Sequence, residues 1–169
     1  MNKAIFLDRD GVINVERGKY TFKPEDFTIE AGVKEALEIL KKNGYVTVVI
    51  TNQAGIAKGI YTKEDVEACH AKMHKELPGL IDDVFYAPHY PPISESLGRK
   101  PDSLLFERAL ALYNVDPQQS WMVGDNDRDL VPARKLGMHT VGIGAVERFH
   151  SADACVSSLL EAVTSIILK

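Results

Sequence analysis

Cysteine is scarce in this chain. Cys69 and Cys155 are the only two in 169 residues, far apart and outside any CxxC pair. That argues against a disulfide framework and reads as two reduced packing thiols in a reducing cytoplasm. No apolar run approaches the roughly 20 residues that span a bilayer. The first apolar run is interrupted by Asp8 too early for a signal peptide. Surplus positive charge is missing as well: 20 Lys and Arg against 24 Asp and Glu give a net charge of -4. Nothing in that balance draws the chain to nucleic acid or to an anionic membrane surface. Repeats, low-complexity tracts and long linkers are also absent. What remains is ordinary for a globular protein, 45% hydrophobic and 26% charged. It is long enough for a single domain over residues 1–169 with a substantial core.

Strand and helix patterns alternate along the chain. Ala4 to Leu7 reads as a strand. Val33, Ala36, Leu37 and Leu40 follow helical spacing, and Asn43-Gly44 closes that helix. Tyr45 to Ile50 is rich in β-branched residues and reads as a second strand. Thr62 with Asp65 three residues later marks the start of a helix running towards Lys75. A short strand is expected at Val84 to Tyr86, followed by an irregular loop marked by Pro88, Pro91, Pro92 and Gly98. A helix from Ser103 to Tyr113, a strand from Ser120 to Val123 and a helix from Asp127 to Leu136 follow. A strand at Thr140 to Ile143, a short one at Ala154 to Val156 and a final helix complete the pattern. Strands separated by helices imply right-handed crossovers: an α/β, Rossmann-like three-layer sandwich with a mainly parallel sheet and helices on both faces. Ligands in such folds bind beyond the carboxyl ends of the strands.

The strand exits carry the chemistry. Asp8 and Asp10 leave the first strand one residue apart, and alternation along a strand lets both project to the same side. Gly11 permits a sharp bend there. Two carboxylates so close repel unless a cation lies between them or one holds a proton. Alone, such a pair also fits a helix cap plus a turn residue. The second strand exits at Thr51-Asn52-Gln53, and the fourth at Gly124-Asp125, with Asp127 and Asp129 behind. Lys100 ends the long loop after the third strand. Carboxylates suit Mg2+; a hydroxyl and a lysine suit phosphate oxygens. Asp127 is expected to be the N-cap of its helix, and Asp129 has Arg128 and Arg134 as alternative partners. Arg9, Arg17, Lys19, Lys58, Arg99 and Lys100 are expected in loops at this rim, where they would offset the carboxylates and attract a polyanion.

Four stretches in this order resemble the haloacid dehalogenase superfamily of phosphatases. They are Phe-Leu-Asp-Arg-Asp-Gly-Val at 6–12, Thr-Asn-Gln-Ala-Gly-Ile at 51–56, Arg-Lys-Pro at 99–101 and Gly124-Asp125 with Asp129. The resemblance implies a Mg2+-dependent phosphomonoester hydrolase working through an aspartyl-phosphate. In it Asp8 is the nucleophile and Asp10 the general acid and base. Thr51 and Lys100 bind the transferring phosphoryl group. Asp8, Asp125 and the Asp10 backbone carbonyl hold Mg2+, with Asp129 supporting the metal from behind. Asn52, Gln53 and Arg99 are candidate substrate contacts. The expected strands and helices fill most of the chain between the motifs, so no large cap domain is expected and the site should be open.

The same motifs resemble the branch containing D-glycero-D-manno-heptose 1,7-bisphosphate phosphatase and histidinol-phosphate phosphatase. The branch also includes polynucleotide 3'-phosphatase domains. The expected substrate is a small phosphorylated metabolite, with a heptose bisphosphate first and histidinol phosphate as the alternative. Much of the branch has a structural zinc loop of Cys and His before Arg-Lys-Pro. Here those positions read Ala87, His89, Ser96 and Gly98. One imidazole cannot supply four ligands, so no zinc is expected. A receiver-like phosphoacceptor domain is the alternative of another class, because it too uses carboxylates, Mg2+, Thr and Lys. Asp10 separates the two, since a hydrolase needs an acid and base beside its nucleophile.

Overall fold

The computed structural model describes residues 1–169. The elements in chain order are β1 (Lys3–Leu7), α1 (Val33–Lys42), β2 (Tyr45–Asn52), α2 (Lys63–Glu76), β3 (Asp83–Ala87), α3 (Leu104–Leu112), β4 (Trp121–Gly124), α4 (Asp127–Lys135), β5 (His139–Ile143), β6 (Ala154–Val156) and α5 (Leu159–Ala162). A π-turn over Val163–Ile167 prolongs α5. The six strands form one sheet in the order β3-β2-β1-β4-β5-β6. Every neighbouring pair is parallel. The expected mainly parallel sheet is thus wholly parallel. No helix is long and apolar enough to cross a membrane.

Local chemistry explains the elements. Val33, Ala36, Leu37 and Leu40 form the buried stripe of α1. Thr62 and Asp65 make a reciprocal capping box at the start of α2, satisfying two backbone donors that would otherwise be free. β2 extends two residues beyond the expected Ile50, because Thr51 and Asn52 pair with Tyr86 and Ala87 of β3. That extension places the Thr51 hydroxyl on a hydrogen-bonded strand rather than a loose turn.

Alternation along β1 divides the core. Ile5 and Leu7 pack with α1 and α5 on one face, in a cluster that includes Leu37, Leu40 and Leu159. Ala4 and Phe6 pack on the other face with Phe106 of α3 and Leu130 of α4. The Phe6 and Phe106 rings lie 5.5 Å apart. Each large side chain so buried contributes about 1.5–3 kcal/mol. Both cysteines are free, and Cys69 is packed inside.

The N-terminal ends of the outer strand pairs carry matching polar clasps. Asp82 accepts from the Thr47 backbone N–H at 2.7 Å and from its hydroxyl at 3.1 Å. Asp153 accepts from the Thr140 backbone N–H at 2.8 Å and from its hydroxyl at 3.0 Å. In each clasp the Asp backbone N–H returns a bond to the threonine carbonyl. These contacts fix how the chain enters β3 and β6.

His70 of α2 is buried against Tyr86, with ring centroids 5.8 Å apart. Burial, then repulsion from Arg9 and His74, lowers its pKa to about 3. An unfolded histidine titrates near 6.5. Between about pH 6.5 and 3 the unfolded chain therefore binds a proton that the folded chain refuses. This contribution to stability is present above pH 6.5 and is lost as pH falls through that window. In urea titrations, His70→Phe should flatten the loss of midpoint between pH 6.5 and 4. An unchanged pH slope would contradict the assignment.

Candidate active site

The strand order sets the site. β1 lies between β2 and β4, so the chain turns in opposite directions on either side of it. The carboxyl ends of these three strands, where such sheets bind ligands, carry Asp8, Thr51 and Asp125. The Asp8 backbone N–H donates to Val123 of β4 at 3.0 Å, fixing it beside the Asp125 turn. Gly11 then reverses the chain with φ of +81°. A Cβ there would lie 2.5 Å from Asp125 Oδ2. Glycine is required twice over, for the left-handed backbone and for the approach to that carboxylate.

Lys100 occupies the centre and is 1% exposed. Its Nζ lies 2.7 Å from Asp8 Oδ1, 2.6 Å from the Ile50 carbonyl and 2.8 Å from Asp129 Oδ1. Asp129 is fully buried, and this ammonium is the only partner of its Oδ1. Asp8, Asp125 and Asp129 each present an oxygen, and the three atoms lie within 4.8 Å of one another. Burial and then the Asp129 charge raise the pKa of Asp8 to about 7. The same two causes, in the same order, raise that of Asp125 to about 6. Lys100 contacts two of the three carboxylates, and the Arg128 and Arg148 charges only partly offset the upward shift of the third, Asp125. Three converging carboxylates, two of them pushed up by burial and mutual repulsion, form an all-oxygen set that fits a hard divalent cation such as Mg2+.

Asp10 lies outside that carboxylate cluster. Arg9 forks onto it, with Nε 3.2 Å from Oδ2 and Nη2 3.1 Å from Oδ1. Asn14 adds a bond to Oδ1 at 3.0 Å. Arg9 is itself buried and also donates to the Thr21 carbonyl at 2.8 Å. This corrects the expectation that Arg9 belongs to an open positive rim: its charge is spent on orienting the neighbouring carboxylate.

The turn after β4 also departs from the sequence reading. Asn126, not Asp127, caps α4, accepting from the Arg128 backbone N–H at 3.2 Å. Asp129 completes the capping box by accepting from the Asn126 backbone N–H at 3.1 Å. Its ionic partner is Lys100 rather than Arg128 or Arg134. Gly124 leaves room for this, since a Cβ there would meet Asp129 Cβ at 2.5 Å. Asp127 instead holds the loop after β5, accepting from the backbone N–H groups of His150 and Ser151 at 3.0 and 2.8 Å.

The three candidate substrate contacts have internal partners. Asn52 exchanges two 3.0 Å bonds with the Lys100 backbone. Gln53 is buried between Thr51 and Tyr61. Arg99 donates to the His89 carbonyl at 3.0 Å, and His89 Nδ1 lies 3.2 Å from the Ser94 hydroxyl.

Asp8, Asp10, Thr51, Lys100, Asp125 and Asp129 all line one cleft of about 350 Å3, with no hydrophobic residue in its wall. A second cavity of about 480 Å3 shares Asp10, Asn52 and Arg128 with it. The largest hollow, about 560 Å3, lies in the 91–102 loop and meets the chemistry only through Lys100. We place the reacting group in the smaller cleft, where the carboxylates converge. Sequence reasoning missed Arg128 and Arg148 as lining residues of that cleft. Arg148 donates to the Asp125 carbonyl at 2.9 Å. No motif marks the loop that carries it, although a basic residue after a strand exit was a usable signal.

Comparison with known proteins agrees with this geometry. The HAD-hydrolase-like family model matches residues 97–158. The D-glycero-beta-D-manno-heptose-1,7-bisphosphate 7-phosphatase of Haemophilus ducreyi is 36% identical over 179 residues, covering 95% of this chain and 96% of its own. The protein of that name from Haemophilus influenzae is 40% identical over 141 residues, covering 77% and 74%. A solved D,D-heptose 1,7-bisphosphate phosphatase from B. bronchiseptica, complexed with magnesium and phosphate, superposes with a TM-score of 0.85 at 27% identity, covering 95% of this chain and 96% of that one. The chain thus belongs to the same family as these heptose bisphosphate phosphatases, within the haloacid dehalogenase-like hydrolases, and is a phosphatase.

Proposed function

We propose that this phosphatase releases the C7 phosphate of D-glycero-D-manno-heptose 1,7-bisphosphate, through an aspartyl-phosphate on Asp8 and with Mg2+ as cofactor. The observation that carries the reading is the buried Asp8 carboxylate, 2.7 Å from the Lys100 ammonium, at the floor of a wholly polar cleft. The relatives named for heptose bisphosphate supply the substrate.

The residues divide the work. An Asp8 oxygen attacks phosphorus and the ester P–O bond breaks, leaving the phosphoryl group on Asp8. Asp10, oriented by Arg9 and Asn14, gives its proton to the departing alkoxide. The same carboxylate then takes a proton from water, whose oxygen attacks phosphorus and frees phosphate and Asp8. Lys100 and the Thr51 hydroxyl neutralise and position the phosphoryl oxygens. Asp8, Asp125 and the Asp10 backbone carbonyl would hold Mg2+, with Asp129 behind them. The ion would supply Lewis-acid polarisation of the phosphoryl group. A sugar needs hydroxyl and phosphate partners along its length, and the adjoining polar cavity with Lys19 and Arg128 provides such groups.

Residues 1–169 act as one catalytic unit in this reading, because both cores pack on the sheet that carries the site. Two free thiols and a net charge of -4 favour a cytoplasmic enzyme acting on a small metabolite rather than on nucleic acid.

Phosphate release with Mg2+ should be fastest on the heptose bisphosphate, at least about 10-fold ahead of histidinol phosphate in kcat/KM, a gap of about 1.4 kcal/mol in transition-state binding. Highest turnover on histidinol phosphate would overturn the substrate. EDTA should abolish release, and added Mg2+ should restore it. Asp8→Asn should leave no measurable turnover in a folded protein, whereas Asp10→Asn should lower kcat about 100- to 10,000-fold. Gly11→Ala should weaken Mg2+-dependent thermal stabilisation as well as activity, since its Cβ invades the Asp125 carboxylate. Normal stabilisation in that variant would remove Asp125 from the metal site.

A further inference from the structure

Tyr61 lies outside the motifs that carry the proposed chemistry, yet its hydroxyl points into their support. It is 5% exposed and donates to Gln53 Oε1 at 2.8 Å. Gln53, 2% exposed, turns its amide nitrogen to Thr51 Oγ1 at 2.9 Å and to Asp10 Oδ2 at 3.5 Å. One buried side chain thus links the phenol to both the hydroxyl and the carboxylate assigned to catalysis.

The direction of these bonds matters. A glutamine amide has nearly the same shape after a flip of its O and N. Flipped here, its oxygen would face the Asp10 carboxylate and the Thr51 oxygen. A phenol that donates selects the other orientation. Burial raises the Tyr61 pKa to about 12, so the donor proton is retained at working pH. With Gln53 donating to it, Thr51 Oγ1 acts as an acceptor on that side. Its own proton is left for a phosphoryl oxygen in the cleft.

The phenol is held with little freedom. Its ring stacks on Phe22 at 5.1 Å and 14°, and meets the edge of Tyr20 at 5.6 Å. On the other side it fills the space above Gly55, where a Cβ would fall 1.9 Å from Tyr61 Cε1. Two aromatic residues from the loop after β1 and one glycine from the turn after β2 therefore set the position of one hydroxyl.

We propose that Tyr61 is a positioning residue of the reaction, fixing the Gln53 amide so that Thr51 donates to the transferring phosphoryl group and Asp10 keeps its orientation. This rests on the phosphatase roles of Thr51 and Asp10 given above. Without the phenol, Gln53 Oε1 is a buried acceptor lacking a donor. The amide is then free to flip, and in the flipped form Oε1 draws the Thr51 proton away from the substrate. The loss falls on the transition state rather than on ground-state binding.

The test is steady-state hydrolysis of p-nitrophenyl phosphate with Mg2+, alongside thermal midpoints and near-UV circular dichroism. Tyr61→Phe, which keeps the stacked ring, should lower kcat about 10-fold with KM within about 2-fold, the size expected for one misdirected hydrogen bond. Gln53→Glu keeps the side-chain shape and still accepts from the phenol but cannot donate, so kcat should fall at least as far. Adding Tyr61→Phe to Gln53→Ala should cost nothing further, whereas independent structural roles would multiply. Wild-type kcat in a natively folded Tyr61→Phe or Gln53→Glu overturns the proposal, as do multiplying effects in the double variant. If Tyr61→Phe fails to fold, Gln53→Glu decides the matter alone. A wild-type protein without turnover brings down the phosphatase roles and this proposal together. An active wild type with indifferent variants brings down only the proposal.

Discussion

One ammonium group organises the molecule. Lys100 Nζ touches Asp8 at the end of β1, the Ile50 carbonyl within β2 and Asp129 in the first turn of α4. An isolated buried ammonium would be strongly unfavourable, and two carboxylates and a carbonyl offset that cost. Asn52 secures the same residue through its backbone, so the loop from β3 to α3 is tied to β2 by main chain and side chain alike. The proposed nucleophile, the strand that carries Thr51 and the helix after β4 therefore share one electrostatic centre. Beside it a third carboxylate, Asp125, converges on Asp8 and Asp129 without pairing with the ammonium. That convergence of carboxylates is what the proposed divalent ion would neutralise.

Much of the fold is readable from the residues. The stripe of α1, the Thr62-Asp65 start of α2 and the alternation of apolar runs with helices all arise from local chemistry, and each element lies within a residue or two of its expected bounds. The residues at the strand exits are legible for the same reason: the fold rule says where they must converge. What escaped were choices settled by contacts distant in sequence. Arg9 looks like a surface charge until the Asp10 fork and the Thr21 carbonyl enclose it. Asn126 and Asp127 are comparable caps on paper, and the pull of residues 150 and 151 on Asp127 leaves the cap to Asn126. Asn52 reads as a ligand group until its two polar ends are seen on the Lys100 backbone.

The residues proposed to handle the phosphoryl moiety sit at strand ends and in the first turn of α4, with Lys100 brought in from the end of the β3–α3 loop. Around the wider cavity Lys19 comes from the loop after β1 and Arg128 from the first turn of α4, with Arg148 bordering the inner cleft. The 88–100 loop holds its shape through the Arg99 bond to the His89 carbonyl and the His89–Ser94 contact. A polar wall made by loops on a fixed acidic floor lets molecular fit change while bond-breaking geometry is retained.

The paired Asp-Thr clasps lie at the opposite pole of the sheet from Lys100. They anchor the outermost strands where these begin, so fraying at the borders of the sheet is restrained without any group being borrowed from the acidic floor. The clasps thus steady the sheet with side chains that the proposed chemistry does not use. Evolution could harden either border by amending a clasp and leave the machinery at the far end untouched.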